Sequence, residues 1–224
     1  MQSAQVHRIQ VDETQSVSAL LQAPPDARAC YVLAHGAGAG MAHPFLAAVA
    51  SGLEERGVAT LRYQFPYMER GARRTDPPAL AHATVRAAVD AAARLTPGLP
   101  LFAGGKSFGG RMTSQAQATA PLAGVVGLVF LGFPLHPAGK PTSQRGEHLQ
   151  QVHCPMLFLQ GTRDELADAT RVGALVEGLG PRATLHWIAE ADHAFHVPAR
   201  SGRKDAEVLC GVLDTVAQWT SRVR

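Results

Sequence analysis

Near the middle of the chain, Gly105-Lys106-Ser107-Phe108-Gly109 sets a serine between two glycines at the spacing G-x-S-x-G. That spacing suits a sharp strand-to-helix turn, which lifts a hydroxyl clear of the backbone and holds the serine in a sparsely populated dihedral region. A side chain two residues before or after the serine would collide with the neighbouring turn, so both places want glycine; Gly104 and Gly110 add clearance. A serine hydroxyl is a weak nucleophile until a base takes its proton. Imidazole suits that task because it titrates near neutrality, and a carboxylate can fix its tautomer and stabilise the imidazolium. The rest of the chain must therefore supply a histidine and an acid.

Other readings of the stretch are weaker. G-K-S resembles the end of a phosphate-binding loop, but G-x-x-x-x-G-K-[ST] would put its first glycine at Pro100, which lacks the amide and the permissive backbone. Lys106 as base for Ser107 meets the objection that adjacent side chains diverge at a tight turn. Chance occurrence in a glycine-rich chain is the third alternative, and only partners elsewhere in the sequence can displace it.

The elements that would position such partners follow from the pattern. Segments 6–11 and 17–21 read as short strands with a polar turn between them. Strands are predicted at 29–34, 58–63, 101–103, 125–131, 155–160 and 183–188; the apolar run at 125–131 predicts burial on both faces. Helices are predicted from Phe45 to Leu53, over 80–95, from Ser107 to about 118, over 168–179 and over 204–219; the first and last carry their apolar residues on one stripe. The stretches 64–78 and 133–145 read as loops. Alternating strands and helices imply a mostly parallel α/β sheet of seven or eight strands with helices on both faces. Ligands bind such sheets at the carboxyl ends of the strands. The chemically suggestive clusters all fall there: His35–Gly40, Ser107, Asp164 and His193.

Composition sets the outer bounds. The 224 residues are 46% hydrophobic and 17% charged, enough for one substantial core, and the expectation is a single domain over residues 1–224. The net charge is +3. The arginines are scattered without the interleaved aromatics of a nucleic-acid platform, so no nucleic-acid partner is expected. Cys30, Cys154 and Cys210 are odd in number and far apart. Neither a disulfide framework nor a zinc site is expected, and no metal. The N-terminal residues carry no secretory h-region, and the most apolar run, 123–135, is too short to span a bilayer and is broken by glycines and Pro134. The expectation is a cytoplasmic protein with no membrane partner; nothing in the sequence speaks to its oligomeric state.

The order Ser107…Asp164…His193 is the order found in α/β-hydrolases, and the chain resembles that superfamily over essentially its whole length. Gly105–Arg111, Phe65-Pro66-Tyr67 and Phe133-Pro134-Leu135-His136-Pro137 resemble its small dienelactone-hydrolase-like branch. The resemblance implies an α/β-hydrolase fold, a nucleophile at Ser107, an acid at Asp164 after the penultimate strand and a base at His193 after the last. It implies an oxyanion hole made by the backbone N–H groups of Phe108 and Ala37. Glu165 and Asp168 stand as rivals to Asp164, and His196 to His193. Asp192 reads as a turn cap, His35 as a loop brace and His43 as a helix start.

The sequence also departs from larger and related members. No segment between strands is long enough for a cap domain, so an open, shallow pocket is expected, with Phe65, Tyr67, Phe108, Phe133 and His136 as candidate substrate contacts. Dienelactone hydrolases use cysteine where this chain has Ser107, so that lactone chemistry is not implied. The leading expectation is a serine hydrolase acting on an ester, thioester or related acyl bond of a small molecule, with no cofactor. The alternatives are a non-catalytic interaction module that keeps the fold, and a nucleotide-binding enzyme using Gly36–Gly40. Against the second of these, Met41 occupies the last glycine position of G-x-G-x-x-G.

Overall fold

The computed structural model describes residues 3–223. One eight-stranded sheet runs through it, comprising β1 (Gln5–Gln10), β2 (Ser16–Gln22), β3 (Ala29–Ala34), β4 (Val58–Tyr63), β5 (Leu101–Lys106), β6 (Val125–Leu131), β7 (Met156–Gly161) and β8 (Ala183–Ile188). The spatial order is β1-β2-β4-β3-β5-β6-β7-β8. β2 is antiparallel to both neighbours, and every pairing from β4 to β8 is parallel.

Period-2 alternation divides the core. On β3, Cys30, Val32 and Ala34 face one side, and Ala29, Tyr31 and Leu33 the other. The first side is covered by α3 (Pro78–Leu95), α4 (Phe108–Thr119) and α5 (Ala169–Leu179), through Val85, Val89, Met112 and Val172. The second is covered by α1 (Pro44–Glu54) and α6 (Asp205–Arg222), through Leu46, Val49, Leu53, Val212, Leu213 and Val216. Because both faces are covered, the central strands read as near-continuous apolar runs. β8 is an edge strand and is only partly buried, leaving Trp187 exposed. No described helix is long and apolar enough to cross a membrane.

Three elements differ from the sequence expectation. β5 continues past Ala103 to Lys106, since its glycines pair with β3 and β6. The loop at 64–78 contains a short helix, α2 (Pro66–Glu69), started by Pro66 at its first position. The connection from β6 to β7 ends in a 3-10 turn at Gln144–Gln151, and no segment between the described strands forms a cap.

Candidate active site

Ser107 is the hinge between β5 and α4, with φ 51° and ψ −116°. A non-glycine residue rarely holds a positive φ, and here the flanking structure enforces it. The glycines around it are needed for a reason the sequence did not show. A Cβ on Gly105 would lie 2.2 Å from the Ala34 carbonyl oxygen, and one on Gly109 would lie 2.6 Å from the His35 carbonyl oxygen. The obstacle is the adjacent strand β3 and its end, rather than the neighbouring turn. The elbow and the tip of β3 are therefore packed backbone to backbone.

Ser107 Oγ lies 2.8 Å from His193 Nε2, and His193 Nδ1 lies 2.6 Å from Asp164 Oδ2. Three strand ends thus deliver one continuous chain of hydrogen bonds. The Asp164 side chain is fully buried while His193 is about a quarter exposed. Asp164 also accepts from Gln160 Nε2 at 2.6 Å and from the Leu166 amide at 2.8 Å. These donors hold the carboxylate in place and offset the cost of burying its charge. Gln160 in turn accepts the Phe133 N–H at 2.9 Å. Sequence reasoning missed Gln160; its signal was an amide inside an otherwise apolar buried strand, four residues before Asp164.

None of the rivals joins this chain of hydrogen bonds. Asp168 caps α5 by accepting from the Arg171 amide, and Glu165 is exposed. Asp192 Oδ1 accepts from the amides of Ala194 and His196 at 2.8 and 2.9 Å, shaping the turn that carries His193. His196 is paired with Asp205. His43 caps α1 through the Phe45 amide.

His35 is buried and neutral. The Phe65 N–H donates to its Nε2 at 3.0 Å, so Nδ1 carries the proton toward the Gly36 carbonyl oxygen, 2.8 Å away. Burial pushes its pKa down to about 4. His35 therefore ties the end of β3 to the loop after β4.

A cleft of about 380 Å³ opens over Ser107. Its walls are Gly36, Ala37 and Ala39 from the loop after β3, His43, Phe45 and Leu46 from the start of α1, and Lys106, Leu166, His193 and Ala194. Ala37 is exposed in that wall. Phe108 is the first residue of α4, so its N–H is one of the donors a helix start leaves without an intrahelical partner. A second depression, of about 590 Å³, lies beside His193 and is lined by Arg163, Glu165, Leu166, Asp192, His196 and Pro198.

The aromatic contacts expected from the sequence are corrected here. Phe65, Tyr67 and Phe133 are core residues and none lines the cleft. Phe65 and Tyr67 stack edge-on against Phe108, itself buried, and Phe133 packs on Phe130 and Phe158. The Tyr67 hydroxyl accepts the Gly38 N–H at 2.9 Å, so it props the loop bearing Ala37 from below. His136 is also buried: its Nε2 accepts the Asp168 N–H at 2.8 Å and its own N–H reaches the Leu166 carbonyl oxygen, which braces the loop that carries Asp164. The lining comes instead from Phe45 and Leu46, because β3 lies next to β5 and its following helix starts above the elbow.

A family model described as an alpha/beta hydrolase domain matches residues 27–221. The chain belongs to the α/β-hydrolase family. This α/β hydrolase has the same fold as dienelactone hydrolase from Anabaena variabilis, with 22% identity, 99% of each chain covered and a TM-score of 0.75. A serine hydrolase without lid from Xanthomonas campestris is 22% identical, covering 98% of this chain and 96% of that one, at a TM-score of 0.74. The esterase domain of a Rhodothermus marinus protein is 15% identical over 100% and 99%, at 0.76. The likeness to these structures is one of fold.

Proposed function

We propose that this α/β hydrolase is a serine hydrolase that cleaves the ester, thioester or related acyl bond of a small substrate through an acyl-enzyme. The single observation that carries the reading is the unbroken hydrogen-bonded chain from Ser107 through His193 to buried Asp164, opening on a cleft. His193 Nε2 takes the Ser107 proton as Oγ attacks the carbonyl carbon. The oxygen of the tetrahedral intermediate is received by the Phe108 and Ala37 amides; one such donor is typically worth about 2.7–4 kcal/mol. His193 then gives the proton to the leaving group as the bond to it breaks. Water, deprotonated by His193, attacks the acyl-enzyme, and the acid departs as Ser107 regains its proton. Asp164 holds the imidazole in the tautomer that accepts at Nε2 and stabilises the imidazolium.

The two depressions divide the substrate. Phe45, Leu46, Ala37 and Ala39 favour an apolar acyl group over Ser107. The leaving group departs on the side of the base, toward Arg163, Glu165 and Asp192, where a polar group is better tolerated. A fluorophosphonate probe will label the native protein and not Ser107→Ala; labelling that survives the substitution rules out this mechanism. On short p-nitrophenyl esters, turnover will be abolished by His193→Ala.

A further inference from the structure

Lys106 immediately precedes Ser107, yet its side chain serves a different loop. Its stem lines the cleft, and Nζ donates to the main-chain oxygen of His193. The ammonium stands 5.3 Å from the centroid of the Phe195 ring. It is packed so closely against the end of β6 that a Cβ on Gly132 would lie 2.9 Å from Nζ and 3.4 Å from His193 Nδ1. Lys106 as a whole is half-buried, but holding its ammonium out of water is unfavourable, and an apolar side chain of similar length would fill the space without that cost. Its neighbours do not form a tight ion pair with it: Asp164 and Asp192 act on it only through their fields.

We propose that Lys106 is the positioning residue of the base, tying the backbone of His193 to the strand that carries the nucleophile so that Nε2 stays in register with Ser107 Oγ. The proposal rests on the serine-hydrolase reading above and adds to it. The imidazole ring is held by Asp164 and Ser107; its turn is shaped by Asp192 and tied to the loop after β7 by the Arg163 N–H, which donates to the Ala191 carbonyl oxygen. The Lys106 bond is the link from that backbone to β5. Because Lys106 and Ser107 are consecutive, any shift of the elbow carries the tether with it.

The tether is also sensitive to pH. Burial pushes the Lys106 pKa down to about 8, with Asp164 and Asp192 opposing the shift. The charged or titratable groups around it are Asp164 after β7, Asp192 and His193 after β8, Ser107 on its own turn and His43 across the cleft. Below pH 8 the ammonium makes a charge-assisted bond; above it the neutral amine is a poorer donor.

The test compares Lys106→Met, Lys106→Cys before and after aminoethylation with bromoethylamine, and Ser107→Ala, on one p-nitrophenyl ester. Lys106→Met will lower kcat roughly ten- to a hundredfold with little change in KM, the cost of a slightly misplaced base. The native protein is expected to show an alkaline fall in kcat as Lys106 loses its proton, and Lys106→Met will lack that fall. Aminoethylated Lys106→Cys, which regains an amine at the same reach, will recover most of kcat and an alkaline fall, whereas the unmodified form will not. That recovery within one preparation separates a positioning role from a folding defect. The proposal is overturned if Lys106→Met keeps kcat within about twofold, or if complete aminoethylation, checked by mass, restores nothing. Activity retained by Ser107→Ala overturns the serine-hydrolase reading itself, and Lys106 with it; an inactive Ser107→Ala beside a fully active Lys106→Met overturns only the role of Lys106.

Discussion

Gln160 Nε2 lies 2.6 Å from Asp164 Oδ2, the same carboxylate oxygen that meets His193 Nδ1. One strand residue therefore orients the carboxylate of Asp164 four positions later, and its own side-chain oxygen accepts the Phe133 N–H. Gln160→Met leaves that amide without an acceptor and the carboxylate short of one donor. It will cost about 1–3 kcal/mol of stability and lower kcat on a p-nitrophenyl ester. Gln160→Glu sets a second carboxylate against Asp164 and will be the more damaging of the two. Equal activity in the two variants and the native protein would detach Gln160 from the site.

Asp164→Asn keeps the shape of the acid but removes its charge and offers an amide where Gln160 already donates. Turnover will fall about 10⁴-fold, as when a triad carboxylate is neutralised, with the fold intact by circular dichroism. Asp168→Asn, at the cap of α5, will leave turnover near native. A reversal of these two outcomes would move the acid to Asp168.

Phe45 is half-buried, lines the cleft above Ser107 and rests against Phe195, ring centroids 6.0 Å apart. Phe45→Ala lengthens the acyl side. Across a series of p-nitrophenyl esters, the preferred chain will lengthen, each added buried methylene contributing about 0.8 kcal/mol, or roughly a fourfold gain in kcat/KM. An unchanged profile would show that the acyl chain lies elsewhere.

Gly109→Ala places a methyl 2.6 Å from both the Ala34 Cβ and the His35 carbonyl oxygen. Overpacking of this kind costs about 1–3 kcal/mol or more, and backbone cannot rotate away as a side chain can. Tm will drop by roughly 5–10 °C and activity will fall with it, because the shift is transmitted to Ser107. Gly139→Ala, with open space around it but φ +69°, supplies a strained surface control with smaller losses.

Acid will weaken the fold through buried His35 and half-buried His148. His35 and His148 both have pKa values pushed down by burial to about 4, from an ordinary value of 6.5. Between those values the unfolded chain binds more protons than the folded one. Their contribution is complete above pH 6.5 and is lost as pH falls toward 4. Urea midpoints measured across that window will decline in the native protein and decline less steeply in His35→Gln. A flat profile would mean that neither ring is held neutral.

The sequence by itself determined the alternation of strands and helices, the elbow around Ser107, and the arrival of Asp164 and His193 at strand ends. Those features are local: they need only hydrophobic period, turn chemistry and spacing. Tertiary structure decided what depends on neighbours across the sheet. Three acids lie within five residues at 164–168, and only the bonds from Gln160 and the Leu166 amide direct one of them at His193. Phe65, Tyr67 and Phe133 sit beside strand ends in the sequence just as cleft residues would. They turn inward because the aromatic cluster under Phe108 and the one around Phe158 are where apolar area can be buried. The cleft is instead walled by α1, which the strand order brings over the elbow by setting β3 against β5. Strand order and side-chain direction are properties of the packed sheet, so no single stretch of sequence could carry them.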